Sequence, residues 1–237
     1  MTLKYSCFVT GTDTGVGKTL VSAALLHGLS RLGLRSAGMK PVAAGAVLTD
    51  GVWTNEDVTL LAQASSVQLP TDLTVPYLLR EAVAPHIAAA LEHVVIDPAR
   101  LLGAYQQMMH QVDAIVVEGV GGFRVPLNAE IDTADLAQQL QLDVILVVGL
   151  RLGCLNHALL TAEAIAARGL RLAGWIANQI DVNMPHQENN LQALRDRLPA
   201  PLIGVLPWMN VPDAAAAADC LDFSLLPAWP DGGSDRA

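Results

Sequence analysis

Apolar positions along this chain fall into short unbroken runs separated by stretches with helical spacing. The runs lie at 5–10, 35–42, 113–118, 143–149, 171–178 and 202–206, and each reads as a buried strand. Between them, apolar residues recur every three or four positions. This predicts helices near 17–32, 56–65, 85–92, 97–111, 132–141, 155–168 and 186–198. In the first of these, Val21, Ala24, Leu25, Leu29 and Leu32 share one face, and Gly33 stands where a C-terminal cap is expected. Strand and helix alternate throughout. The order predicts an α/β fold, a single domain with a doubly wound, mostly parallel sheet and helices on both faces. The domain is expected over residues 1–226. Residues 227–237 are rich in Pro, Gly and Asp and read as a flexible tail, and the alanine run at 214–218 reads as a short helix. No internal repeat is found.

At 237 residues the chain is long enough to bury a sizeable core, roughly 70–75% of its unfolded surface. The formal charge of −9 argues against a nucleic-acid or anionic-membrane partner. Cys7, Cys154 and Cys220 are an odd count without metal-like spacing, which fits reduced thiols in a cytosolic protein. No basic-then-apolar leader is present, and the apolar run from Val144 to Leu150 is too short to span a bilayer. A cytoplasmic location without membrane attachment is expected.

The chemistry begins where the first strand ends. The sequence Gly11-Thr-Asp-Thr-Gly-Val-Gly-Lys-Thr19 sets a glycine-bearing loop between that strand and a helix. This is the layout of a phosphate cradle, in which helix-start N–H groups and the helix dipole attract an anion. Gly15 and Gly17 let the backbone approach phosphate oxygens. Lys18 can reach the outer phosphates, and the Thr19 hydroxyl can ligate Mg²⁺. The strict nucleotide pattern wants its first glycine at position 12, which is Thr12; the glycine sits one place earlier, at Gly11.

In a parallel sheet, ligands bind outside the carboxyl ends of the strands. The strand at 113–118 ends on Glu118, followed by Gly119, Val120, Gly121 and Gly122. A carboxylate there can hold Mg²⁺ beside the cradle, or it is a solvated strand-end acid. The second strand ends at Lys40, before Pro41, and that lysine either neutralises a transferring phosphoryl group or is a surface charge. Asp57 at a helix start either complements the helix dipole or adds a contact to Mg²⁺. Asn178 closes another strand; its amide pairs with a purine edge or makes a turn.

Together these segments resemble the dethiobiotin synthetase family, ATP-dependent enzymes with the P-loop NTPase type of fold. The matching pieces are the 11–19 loop, Lys40-Pro-Val42, Val117-Glu-Gly-Val-Gly-Gly122, Leu152-Gly-Cys-Leu-Asn-His-Ala158, Gly174-Trp-Ile-Ala-Asn178 and Leu206-Pro-Trp208. They lie in the family's order up to about residue 210. The resemblance implies that a diamine, 7,8-diaminononanoate, takes up CO₂ as a carbamate. ATP phosphorylates the carbamate, and the second amine then closes the ureido ring. It implies catalytic roles for Lys18, Lys40 and Thr14, and a Mg²⁺ set of Thr19, Asp57 and Glu118. Nucleotide contacts would come from Gly15, Val16, Gly17, Lys18, Thr19, Leu20, Gly119, Val120 and Gly121. Asn178, Pro207, Trp208 and Met209 would surround the base. It also implies a homodimer in which Gly153, Cys154, Leu155 and Asn156 hold the carboxylate of the diamine bound by the partner subunit. His157 reads as structural.

Two positions depart from the family. Ala44 stands where a Ser or Thr commonly contacts the substrate, and Gly15 where the cradle often has Glu. The run Asn178-Gln-Ile-Asp181 is similar to a guanine-binding motif, but Gln179 replaces its lysine, so ATP is expected over GTP. Two other readings compete. A nucleotide-switched partitioning ATPase usually carries a cradle lysine where this chain has Asp13. An amidotransferase-linked synthetase needs a glutaminase unit.

Overall fold

The computed structural model describes residues 3–230. In chain order its elements are β1 (Tyr5–Gly11), α1 (Lys18–Arg31), β2 (Ser36–Met39), β3 (Val42–Ala44), β4 (Val47–Thr49) and β5 (Val52–Thr54). There follow α2 (Glu56–Ala64), α3 (Thr71–Thr74), β6 (Tyr77–Leu79), α4 (Pro85–Leu91), α5 (Pro98–Met109), β7 (Ala114–Glu118) and α6 (Thr133–Leu140). The chain closes with β8 (Asp143–Leu150), α7 (Cys154–Ala167), β9 (Leu172–Gln179), α8 (Gln187–Arg195), β10 (Leu202–Leu206) and α9 (Ala214–Asp219).

The main sheet runs β10-β9-β8-β1-β7-β2, and all its pairings are parallel. The α/β architecture expected from the sequence is therefore present. Alternation along β1 divides the core. Phe8 points into one apolar layer with Met39, Val117 and Leu101, while Cys7 and Val9 point into the other with Leu25, Ile145 and Ile176. A third layer forms around Trp175 under α7 and α8. After β1 the chain moves to the β2 edge, fills the gap with β7, and then crosses to β8 on the far side of β1. This reversal leaves a crevice at the carboxyl ends of β1 and β7.

The expected strand 35–42 is two strands. It leaves the main sheet at Met39, because Pro41 has no N–H to continue the ladder. Residues 42–44 then pair with β6 in a separate two-stranded sheet. The hairpin β4–β5 was not expected either. It turns on Asp50 and Gly51, both at positive φ, as a tight hairpin turn demands. The alanine run forms α9. Of the tail expected over 227–237, residues 231–237 lie outside the described residues. Its first part is packed: Trp229 stacks on Phe223 at 4.4 Å and meets Tyr5 edge-on at 5.0 Å. The composition of the tail concealed this, since a single indole supplies the apolar surface that docks it.

Candidate functional site

The loop after β1 is built by backbone geometry. Gly15 and Gly17 have φ of +73° and +93°. A Cβ on Gly17 would lie 2.1 Å from Asn178 Nδ2, so glycine is required there for space as well as for conformation. Asn178 Nδ2 donates to the Val16 carbonyl at 2.9 Å, and Val16 itself is buried beneath the loop. The Thr12 N–H donates to the Val147 carbonyl at 3.0 Å, tying the loop to β8. Gly17 caps α1, whose first-turn N–H groups lack partners within the helix. Lys18 Nζ donates to the Asp13 carbonyl at 3.1 Å. Burial, and then the charge of Lys40, push the Lys18 ammonium down to about 8.

A charged cluster lies beside this loop. The pairing of Met39 with Val117 and of Val9 with Glu118 sets the ends of β2, β7 and β1 side by side. Lys40 and Glu118 therefore emerge as neighbours, and both are buried. Lys40 Nζ donates to Glu118 Oε1 at 2.6 Å, to Asp57 Oδ2 at 2.8 Å and to the Gly119 carbonyl at 3.3 Å. Burial works against its charge, but Glu118 and Asp57 outweigh burial and hold Lys40 above the ordinary lysine range. For Asp57, burial pushes the carboxyl up, while Lys40 and Thr19 bring it below its ordinary value. Asp57 is delivered by α2, whose cap Asn55 also donates from Nδ2 to the Ala44 carbonyl at 3.1 Å. The surface-charge reading of Lys40 and the solvated-acid reading of Glu118 both fail, because each side chain is enclosed in this cluster.

Thr19 Oγ1 lies 2.6 Å from Asp57 Oδ1 and 2.9 Å from Glu118 Oε1, at hydrogen-bond distance from both. Glu118 Oε2 is buried without a partner. A buried carboxylate oxygen left bare is costly, and a hard cation with oxygen ligands is what would satisfy it. The donor set of one hydroxyl and two carboxylates fits Mg²⁺, which keeps several waters and takes phosphate oxygens for its other positions. Among the described residues no group of three or more His, Cys, Asp or Glu could hold a metal by itself.

Loop and cluster form one end of a cleft of about 830 Å³. Thr14, Gly15, Gly17, Lys18, Thr19, Leu20, Lys40, Asp57, Val120 and Gly121 line it, as does Ala44. Glu118 and Gly119 do not line it, and a Cβ on Gly119 would come within 3.2 Å of Phe8. Leu60, Ala82, Val83, Pro85 and Val125 add apolar surface to its lining. Those wall residues were not singled out from the sequence. The only signal for them was Pro85 opening an alanine-rich helix. Asn178 packs against the loop from β9, and Leu206 pairs with it. Pro207, Trp208 and Met209 follow on the adjoining loop, where the Trp208 N–H donates to Gln179 Oε1 at 3.4 Å. Gly153, Cys154, Leu155 and Asn156 open α7 and do not line the cleft. The Cys154 side chain is buried.

Residues 6–216 match the family model described as an AAA domain. The chain is 58% identical over 234 residues to the ATP-dependent dethiobiotin synthetase BioD of Janthinobacterium sp., covering 97% of this chain and 99% of that protein. It is 57% identical over 221 residues to the enzyme of the same name from Aromatoleum aromaticum, covering 93% and 98%. Among solved structures it resembles the septum site-determining protein MinD of Pyrococcus horikoshii complexed with Mg-ADP. The TM-score is 0.56 at 21% identity, covering 95% of this chain and 89% of that one. At that identity the likeness is one of fold.

Proposed function

The chain belongs to the AAA-domain family and to the ATP-dependent dethiobiotin synthetases, and we propose that its ring-closing chemistry takes place in the cleft at the carboxyl edge of the main sheet. The protein is a cyclo-ligase of biotin biosynthesis that forms dethiobiotin at the expense of ATP. One observation carries the assignment of the site. Lys18, Thr19, Lys40, Asp57 and Glu118 converge from four segments of the chain at a cleft whose lining also holds the apolar Val83, Pro85 and Val125.

The chemistry draws on the charged and the apolar parts of this lining. One amine of 7,8-diaminononanoate adds to CO₂ and loses a proton, giving a carbamate. A carbamate oxygen takes the γ-phosphoryl group, and ADP leaves. The second amine attacks the carbonyl carbon, loses its proton and expels phosphate. Positioning and charge stabilisation are what such a transfer needs from a protein. Lys18 and the loop N–H groups hold the outer phosphates, with Thr14 beside them. Lys40, oriented by Glu118 and Asp57, faces the charge that develops on the transferring group. Thr19, Asp57 and Glu118 hold Mg²⁺, which when bound offsets charge on the phosphates. Val83, Pro85 and Val125 accommodate the hydrocarbon stem of the diamine. Asn178, Pro207, Trp208 and Met209 surround an adenine.

The enzyme acts as a homodimer in the cytoplasm. Gly153, Cys154, Leu155 and Asn156 take the carboxylate of the diamine held by the partner subunit. Support comes from the backbone N–H groups that open α7 outside this chain's own cleft. The three free thiols accord with a reducing compartment.

The test is phosphate release from ATP and Mg²⁺, with and without 7,8-diaminononanoate and bicarbonate, alongside mass detection of dethiobiotin. Release that needs both co-substrates and matches the dethiobiotin formed is expected. Release indifferent to the diamine would overturn the reading in favour of a switch ATPase.

A further inference from the structure

The phosphate loop carries a carboxylate of its own. Asp13 lines the cleft next to Thr14 and Lys18. Its Oδ1 accepts the Thr14 N–H at 2.7 Å, and its backbone carbonyl accepts from Lys18. A negative side chain beside a site for a triphosphate repels the ligand. The structure supplies a counter-charge. Arg151, just past the end of β8, pairs its guanidinium with Asp13 Oδ2. The two residues are 138 positions apart in the chain. They meet because β8 lies beside β1, with Gly11 opposite Val147.

Both side chains are close to half exposed, at 41% for Arg151 and 45% for Asp13. An exposed pair of this kind adds little to folding stability, so stability is a poor account of it. Its place in the cleft is a better one. We propose that Arg151 is a positioning residue for the nucleotide: it neutralises Asp13 and fixes that carboxylate against Thr14, so that the loop and Lys18 meet the triphosphate without a competing negative charge. This rests on the reading that the cleft holds ATP.

The inference is tested by titration calorimetry of Mg-ATP into the full-length protein. The variants are Arg151→Gln, Arg151→Lys, Asp13→Asn and the double change Asp13→Asn with Arg151→Gln. Arg151→Gln is expected to weaken ATP binding about fivefold, the scale of one partly exposed charge pair, and added salt should narrow that gap. Arg151→Lys should restore affinity. Asp13→Asn alone should not weaken binding, and the double variant should return to within about twofold of the parent protein. A merely structural role would not produce rescue by removing the second partner. Unchanged affinity in Arg151→Gln overturns the inference, as does a double variant as weak as Arg151→Gln. A parent protein that binds no ATP overturns the nucleotide reading beneath it.

Discussion

At the scale of single residues, the two cleft lysines do different work because their surroundings differ. Lys40 is enclosed between Glu118 and Asp57 and holds its charge firmly. Lys40→Ala is expected to lower kcat about a hundredfold or more while leaving the KM for ATP nearly unchanged, since its charge acts on the transition state. It also strands the buried Glu118 carboxylate, so a urea melt should show a loss of about 3 kcal/mol. An unchanged kcat would make Lys40 purely structural. Lys18 is held near 8 by burial, whereas the unfolded chain titrates at about 10.4. Between those values the unfolded chain holds the proton that the folded one has lost, so the contribution of Lys18 to stability becomes more favourable as pH rises. The buried Cys7 thiol, pushed up to about 12, acts in the opposite sense. ATP affinity is therefore the cleaner probe. Phosphate needs the ammonium form, so binding should take up a proton near pH 8 and weaken between pH 7 and pH 9. Calorimetry in buffers of different ionisation heat reads that uptake, and Lys18→Met should abolish it.

At the scale of elements, the site is a set of strand and helix ends held in register. Asn55 shows how economical this is: one amide caps α2, which carries Asp57, and also ties that helix to Ala44 across the root of the β4–β5 hairpin. The loop after β1 has a similar brace in Asn178, which fills the space left by Gly17. Gly17→Ala forces a side chain into the left-handed region, at about 1–2 kcal/mol, and drives it into that amide. The expected result is ATP binding weakened more than tenfold, with circular dichroism unchanged because α1 is anchored along its length by Val21, Leu25 and Leu29. Parent-like affinity would show that the loop can relax and that the Asn178 brace is dispensable.

At the scale of the whole molecule, the cleft offers a phosphate end and an apolar wall, while the backbone donors that open α7 lie outside it. A second subunit would bring that feature to a cleft. Light scattering on the purified protein is therefore expected to give twice the chain mass of 25.0 kDa. A monomer that is fully active would remove residues 153–156 from the carboxylate site.

The sequence by itself determined the alternation of strand and helix, the glycine loop, the acid that ends β7 and the lysine that follows β2. These are local or periodic signals: a parallel strand must be apolar along its length, and a phosphate loop must be glycine-rich. Tertiary structure alone decided that Lys40 and Glu118 are one buried pair, because strand order is not written in either segment. Pro41 marked the end of the second strand locally, and only the fold added the pairing of residues 42–44 with β6. The apolar wall at 82–85 and the meeting of Asp13 with Arg151 had no local signal. Asp13 and Arg151 became neighbours only when the crossover from β7 laid β8 beside β1.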